Sequence, residues 1–319
     1  MKKIVKGFIK SCTVAALGLS ICAFAVPVTP VNAETANVAT VTIDNSGQCD
    51  QGAGPVESGT GFTGCQVNSE GNTTINVAND YTLMITNNSE KLISVTNSNA
   101  YGLKDKEKKI CLVNGRYSSG ISDSSISVTI FAGITINSGT FNGDVANLGE
   151  ITGGTFNGKI LSIGTINSGK FNNEVTNFPG GTILGGTFNN YVETYNNSTI
   201  SGGIFSERVD NEGTISSGTF NGVIKNNNNG KIIGGTFSGT VNNSSELGII
   251  GGTFSNTVNN KDKGIIIGGT FSSTVTNVDT GVIIDGIFNG AVNNESGEIS
   301  GGTFSNTVNN NEGGIISDG

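Results

Sequence analysis

The chain has 319 residues, of which 49 are glycine, four are proline and none is tryptophan or histidine. Its 17 basic and 25 acidic residues give a formal charge of −8. That balance argues against nucleic acid or an anionic membrane surface as partner, since both are held by clustered Lys and Arg, and without histidine a Ser-His-Asp hydrolase is excluded.

Residues 1–33 read as a secretory leader. Lys2, Lys3, Lys6 and Lys10 give a basic start, an apolar run follows from about Thr13 to Val28, and Val31-Asn32-Ala33 offers a small-residue cleavage site. Ala23-Phe24-Ala25 is a competing site, but the later one leaves the polar Glu34 as the new N-terminus. Cys22 does not fit a lipid anchor, because Ile21 stands where a small residue is usual. Stripping four lysines from a chain of −8 leaves −12. No later apolar stretch approaches the ~20 residues a membrane span needs. The expected address is secreted or cell-surface.

Residues 34–120 read as an irregular β region that caps a stack, covering a strand edge that would otherwise recruit other chains. Val38–Ile43 and Ile75–Ile85 carry its β-formers, punctuated by Gly and Asn. A small recognition domain is the alternative, on the strength of the Gly-rich loop between Cys49 and Cys65. These two cysteines could close a disulfide in an oxidising compartment, leaving Cys111 unpaired. Zinc lacks its usual ligand sets, with no His and no Cys-x-x-Cys spacing. Lys104 to Lys109, four lysines interleaved with Asp105 and Glu107, reads as a solvated loop.

From about residue 121 a repeat takes over. Eleven phenylalanines, from Phe141 through Phe156, Phe171 and onward to Phe304, stand 15 to 17 residues apart. Ile lies five residues before each, Val or Ile four after, Gly two before, and Asn six after in nine of the eleven copies. The position three after Phe runs through Asp144, Lys159, Glu174, Tyr191, Arg208 and Thr257, an indifference to charge and size that marks an outward site. A Phe-to-Val spacing of four keeps both on one side of an extended chain, whereas an Ile-to-Phe spacing of five demands a bend. Glycine supplies that bend, since it accepts positive φ at little steric cost. The Asn is read as a turn residue that tolerates left-handed geometry, with stacked copies able to form an amide ladder. Length varies only after this Asn.

One such repeat cannot fold alone. Three buried side chains contribute about 1.5 to 3 kcal/mol each, against about 1 to 2 kcal/mol per ordered residue, so copies must stack. The predicted fold is all-β: a parallel β-solenoid of about eleven coils of 15–17 residues, with the N-terminal β cap, over domains 1–33, 34–120 and 121–319. At roughly 4.8 Å per strand, eleven coils make roughly 50 Å. Ile315-Ile316-Ser317-Asp318-Gly319 repeats the opening of another copy, so the sequence is read as a piece of a longer protein.

The Ile-x-Gly-Gly-Thr-Phe phrase with its downstream Val and Asn resembles the repeats of bacterial cell-surface β-helix proteins, adhesin-like and pectin-lyase-like, and the leader looks like that of a Gram-positive bacterium. The likeness covers about Gly133 to Gly319. It implies a surface stalk or adhesin, or a polysaccharide-cleaving enzyme with clustered Asp, Arg, Lys or His on one face. No such cluster stands out. Asp144, Glu150, Glu174, Glu193, Glu207, Asp210 and Glu212 are the available acids, and Glu207-Arg208 with Asp210 is the densest group, read as a solvated corner. Gly153 to Lys159 mimics a phosphate-binding loop, but Ile160 replaces the hydroxyl that would bind magnesium. Calcium-binding solenoids set Asp in a Gly-rich nonapeptide, and here the column is Asn. Thr before Phe in eight copies leaves ice binding as a minor alternative. The expectation is therefore a non-enzymatic exported stalk or adhesin whose Asn, Ser and Thr face meets a host surface or polysaccharide. A β-helix carbohydrate-active enzyme is the alternative. No catalytic, cofactor-binding or metal-binding residue is assigned.

Overall fold

A computed structural model describes the backbone of the strands from Val38 onward and, from Val128 to Ser317, side chains as well, residues 131 and 312 excepted. The leader, Cys22 and the side chains of Cys49, Cys65 and Cys111 lie outside the described residues, as do residues 104–107 of the lysine run. The chain divides into two compact units, Met1–Glu150 and Ile151–Gly319. Among the described residues no helix is long and apolar enough to cross a membrane.

In the first unit, parallel pairing begins well before the repeat phrase. Val38–Ile43, Thr82–Asn87, Lys108–Asn114, Ile126–Ile130 and Val145–Asn147 follow one another as parallel neighbours. Thr73–Val77, Leu92–Thr96, Arg116–Ile121 and Thr135–Phe141 do the same in a second sheet. The irregularity expected here takes the form of two antiparallel pairings, Val38–Ile43 with Cys49–Gln51 and Phe62–Val67 with Thr73–Val77. The segment Ile75–Ile85 is split between the two sheets rather than forming one strand.

The second unit is a parallel β-solenoid. Each coil has three sides, seen for example as Lys231–Ile232, Thr236–Phe237 and Val241–Asn243. Corresponding sides stack in register: Phe237 on Phe254, Val241 on Val258, Ile266 on Ile283. Sides are two or three residues long because the inward side chain must be followed by a corner before the next can point inward. Gly two before Phe makes that corner, with positive φ in all eleven copies, for example 116° at Gly252.

The core is four columns, not three. Ile249, Phe254, Val258 and Asn260 are each fully buried. From Phe156 to Phe304, successive rings stack with centroids 4.7 to 5.0 Å apart and planes within 10°. Those distances follow the strand spacing and exceed the ~3.5 Å of carbon contact, so the rings slide into the offset stacking that their quadrupoles favour.

The Asn column corrects the reading of that residue as a left-handed turn former. Positive φ falls instead on Asn197, Asn228, Asp262 and Asp279, within the turns that follow. The column Asn ends the Val side, faces inward and joins an amide ladder. From Asn211 through Asn226, Asn243, Asn260, Asn277 and Asn294 to Asn310, each Nδ2 donates to the next Oδ1 at 2.6 to 2.8 Å. Asn226, Asn260, Asn277, Asn294 and Asn310 also donate to a carbonyl of the following turn at 2.9 to 3.0 Å. These bonds satisfy polar groups that would otherwise be costly to bury. The turn itself absorbs the length variation: in longer copies it closes with a bond such as Gly264 N to Lys261 O at 2.8 Å.

Candidate binding faces

With the inward columns fixed, the residues flanking them face out, and each side of the second unit presents its own surface. On the Phe side the column before Phe reads Thr219, Thr236, Thr253 and Thr270 over four consecutive coils, paired in register. The column after it reads Asn221, Ser238, Ser255 and Ser272, all exposed. Strand geometry thus sets two parallel rows of hydroxyl and amide groups at roughly 4.8 Å intervals. Beside this side, where stacked Gly153, Gly154, Gly185 and Gly186 leave no side chains at the corner, runs a shallow groove that Lys170, Thr187 and Ile204 also line.

The Val side carries the charged and aromatic residues. Aligning coils on Phe puts Tyr191 and Arg208 in one column and Glu193 and Asp210 in the next, and Glu193 pairs in register with Asp210. Arg208 binds Asp210 through both Nε, at 2.6 Å, and Nη2. The Tyr191 hydroxyl donates to Asp210 Oδ2 at 3.1 Å, and the guanidinium lies 5.5 Å from the Tyr191 ring centroid, within cation–π range. Burial, reinforced by the Asp210 and Glu193 carboxylates, pushes the Tyr191 phenol far above its ordinary value. Tyr195 stacks on Phe178 with centroids 5.4 Å apart. Burial first, then Glu193 and Glu212, push its phenol up to about 12.

Of the sequence's densest charge group, Arg208 and Asp210 meet and Glu207 does not join them: it is exposed at the end of the Phe side. Glu212 accepts from Asn228 Nδ2 at 2.6 Å. Glu174 pairs with Lys159 at 2.7 Å, which engages the lysine of the phosphate-loop mimic. Glu193 and Asp210 are the carboxylates that register brings side by side on this sheet, but both Asp210 oxygens already accept hydrogen bonds. Among the described residues no group of three or more His, Cys, Asp or Glu is placed to hold a metal ion.

The fold thus defines a parallel β-solenoid, an architecture that fixes shape and leaves chemistry to the outward columns. No protein-family model, no curated protein and no solved structure matches this chain.

Proposed function

We propose that this is a non-enzymatic exported surface protein, a stalk or adhesin of the bacterial adhesin-like kind, that contacts a host surface or polysaccharide through its polar Asn, Ser and Thr columns. The observation that carries the reading is the double row of Thr219, Thr236, Thr253 and Thr270 beside Asn221, Ser238, Ser255 and Ser272. An array of donors and acceptors repeated at the strand interval suits a repetitive polyhydroxylated chain, because each coil can offer the same hydrogen bonds to the next sugar. The runner-up is a carbohydrate-active enzyme. The adjacency of Glu193 and Asp210 favours it; the engagement of Asp210 by Arg208 and Tyr191 does not.

Incubating the purified chain with pectins, mucin glycans and plant polysaccharides separates the readings. Binding without turnover, weakened when Thr236 and Thr253 are replaced by the isosteric Val, supports the adhesin. New reducing ends or unsaturated sugars would sink it, and thermal hysteresis without glycan binding would move the assignment to ice. Fractionation of the native cells tests the address.

A further inference from the structure

On the Ile side of the second unit, one run of consecutive coils departs from the polar background of this surface. The residue after the inward Ile is polar in most other coils, as at Asn167, Ser201 and Ser216, with Leu184 an isolated exception, but it is Ile233, Ile250, Ile267 and Ile284 over four consecutive ones. Ile233 is 43% exposed, Ile267 40% and Ile284 44%. On the other flank of the same strands, half-buried Ile265 and Val282 widen the strip. Isolated exposed apolar residues need no explanation, but a contiguous apolar strip on an otherwise polar surface marks a contact site. Charge brackets it: Lys231 stands on the rung of Ile232 and exposed Glu298 on the rung of Ile299, with the rungs of Ile249, Ile266 and Ile283 between.

We infer that this strip is an interface for a second copy of the chain, packed antiparallel about a two-fold axis that passes through the rung of Ile266. Such an axis lies in the face and runs along the strands, so it keeps each column on itself and reverses the order of rungs. Ile267 then meets its own copy, Ile250 meets Ile284, and Ile265 meets Ile265. Lys231, four rungs or about 19 Å from Glu298, meets the Glu298 of the second copy, and the reverse pair closes at the other end. This is the self-complementarity an isologous contact requires. A parallel arrangement brings Lys231 against the Ile233 column and pairs no charges. In two of the turns bordering the strip charges pair, Lys263 with Glu246 at 2.8 Å and Lys261 with Asp262 at 3.9 Å.

The strip is smaller than the ~800 Å² per partner of a standard interface, so the association is weak and depends on concentration and salt. Sedimentation velocity of the purified chain over a wide concentration range tests it, with circular dichroism confirming that each variant is folded. The expected result is a monomer–dimer equilibrium. Ile267→Lys, which sets two like charges at the axis, abolishes it; Ile267→Ser, milder to the fold, weakens it. Lys231→Glu raises the dissociation constant about tenfold, as expected for loss of close interfacial charge pairs, and adding Glu298→Lys restores it. A chain that stays monomeric at every concentration, a dimer indifferent to both Ile267 variants, or a charge swap that fails to restore association would each overturn the inference.

Discussion

Truncating one rung of the amide ladder should cost more than any change on the outer surface, and Asn260→Ala shows why. The Asn260 amide donates to Asn277 Oδ1 at 2.7 Å and to Gly264 O at 2.9 Å, and accepts from Asn243 Nδ2 at 2.7 Å. Removing it leaves one buried acceptor, Asn277 Oδ1, without its donor; the Gly264 carbonyl keeps Val282 N at 2.9 Å and Asn243 Nδ2 keeps the Ile265 carbonyl at 3.1 Å. At about 1 to 3 kcal/mol for a buried group left unmade, the loss is about 1 to 3 kcal/mol. A water entering the vacated space would recover part of it, which favours the lower half of that range. The matched control is Asn259→Ala on the outside of the same strand, where the amide bonds Asn242 Oδ1 at 2.9 Å and water can substitute; about 0.5 kcal/mol or less is expected there. Urea unfolding followed by far-ultraviolet circular dichroism reads both as shifts in midpoint. Because coils in a stack can open separately, hydrogen exchange at Asn243, Asn260 and Asn277 checks that the loss is centred on the ladder. Equal midpoints for the two variants would refute the claim that the inward amides hold the stack together.

Gly252→Ala places a Cβ at φ 116°, 3.1 Å from Phe237 Cε2 and 3.2 Å from Phe254 Cζ, and should destabilise by about 1 to 3 kcal/mol, whereas Ser255→Ala on the exposed row should leave the urea midpoint unmoved. Ultraviolet titration of the phenols should show Tyr195 ionising near pH 12, and Glu193→Gln should lower it only partway toward 10, because burial is the larger cause. The sign of the linkage follows: the unfolded phenol loses its proton first, so the contribution of Tyr195 to stability is present below about pH 10 and is lost as pH rises toward 12. Tyr195→Phe should flatten that part of the stability profile, and an unchanged slope would show the phenol to be unperturbed.

The repeat was legible because periodicity is a physical requirement of stacking. Ile, Phe and Val columns, the positive-φ Gly corner and the turn that varies in length can all be read from spacing alone. Asn260 was harder: Asn favours turns and Asn also fills ladders, and only the burial alternation of Val258, Asn259 and Asn260 decides that the third residue points inward. The Tyr191, Arg208 and Asp210 cluster was half visible. Seventeen residues separate Tyr191 from Arg208, yet both stand three after a Phe, so alignment on Phe already places them one above the other. What spacing could not supply was the pairing of Arg208 with Asp210 rather than Glu207, since that depends on which neighbour shares its side. Parallel pairing before residue 133 carried no repeat phrase to announce it.

A solenoid separates scaffold from surface more sharply than a globular core does. Its inward columns are dictated coil by coil, since a single misfit disturbs the rungs above and below, while each outward position answers only to solvent. Departures from the Asn, Ser and Thr background therefore carry information when they fall in consecutive coils. Ile233, Ile250, Ile267 and Ile284 do so on one side and Tyr191, Glu193, Arg208 and Asp210 on another, whereas Ile204 and Ile287 stand alone in a Thr column. Neither group is needed to hold the stack, because its Ile, Phe, Val and Asn columns run on beneath both. Consecutive outward side chains are neighbours at the strand spacing, so a run of them acts as one surface toward whatever it meets, and that is why the apolar strip and the charged cluster are where partners should be sought.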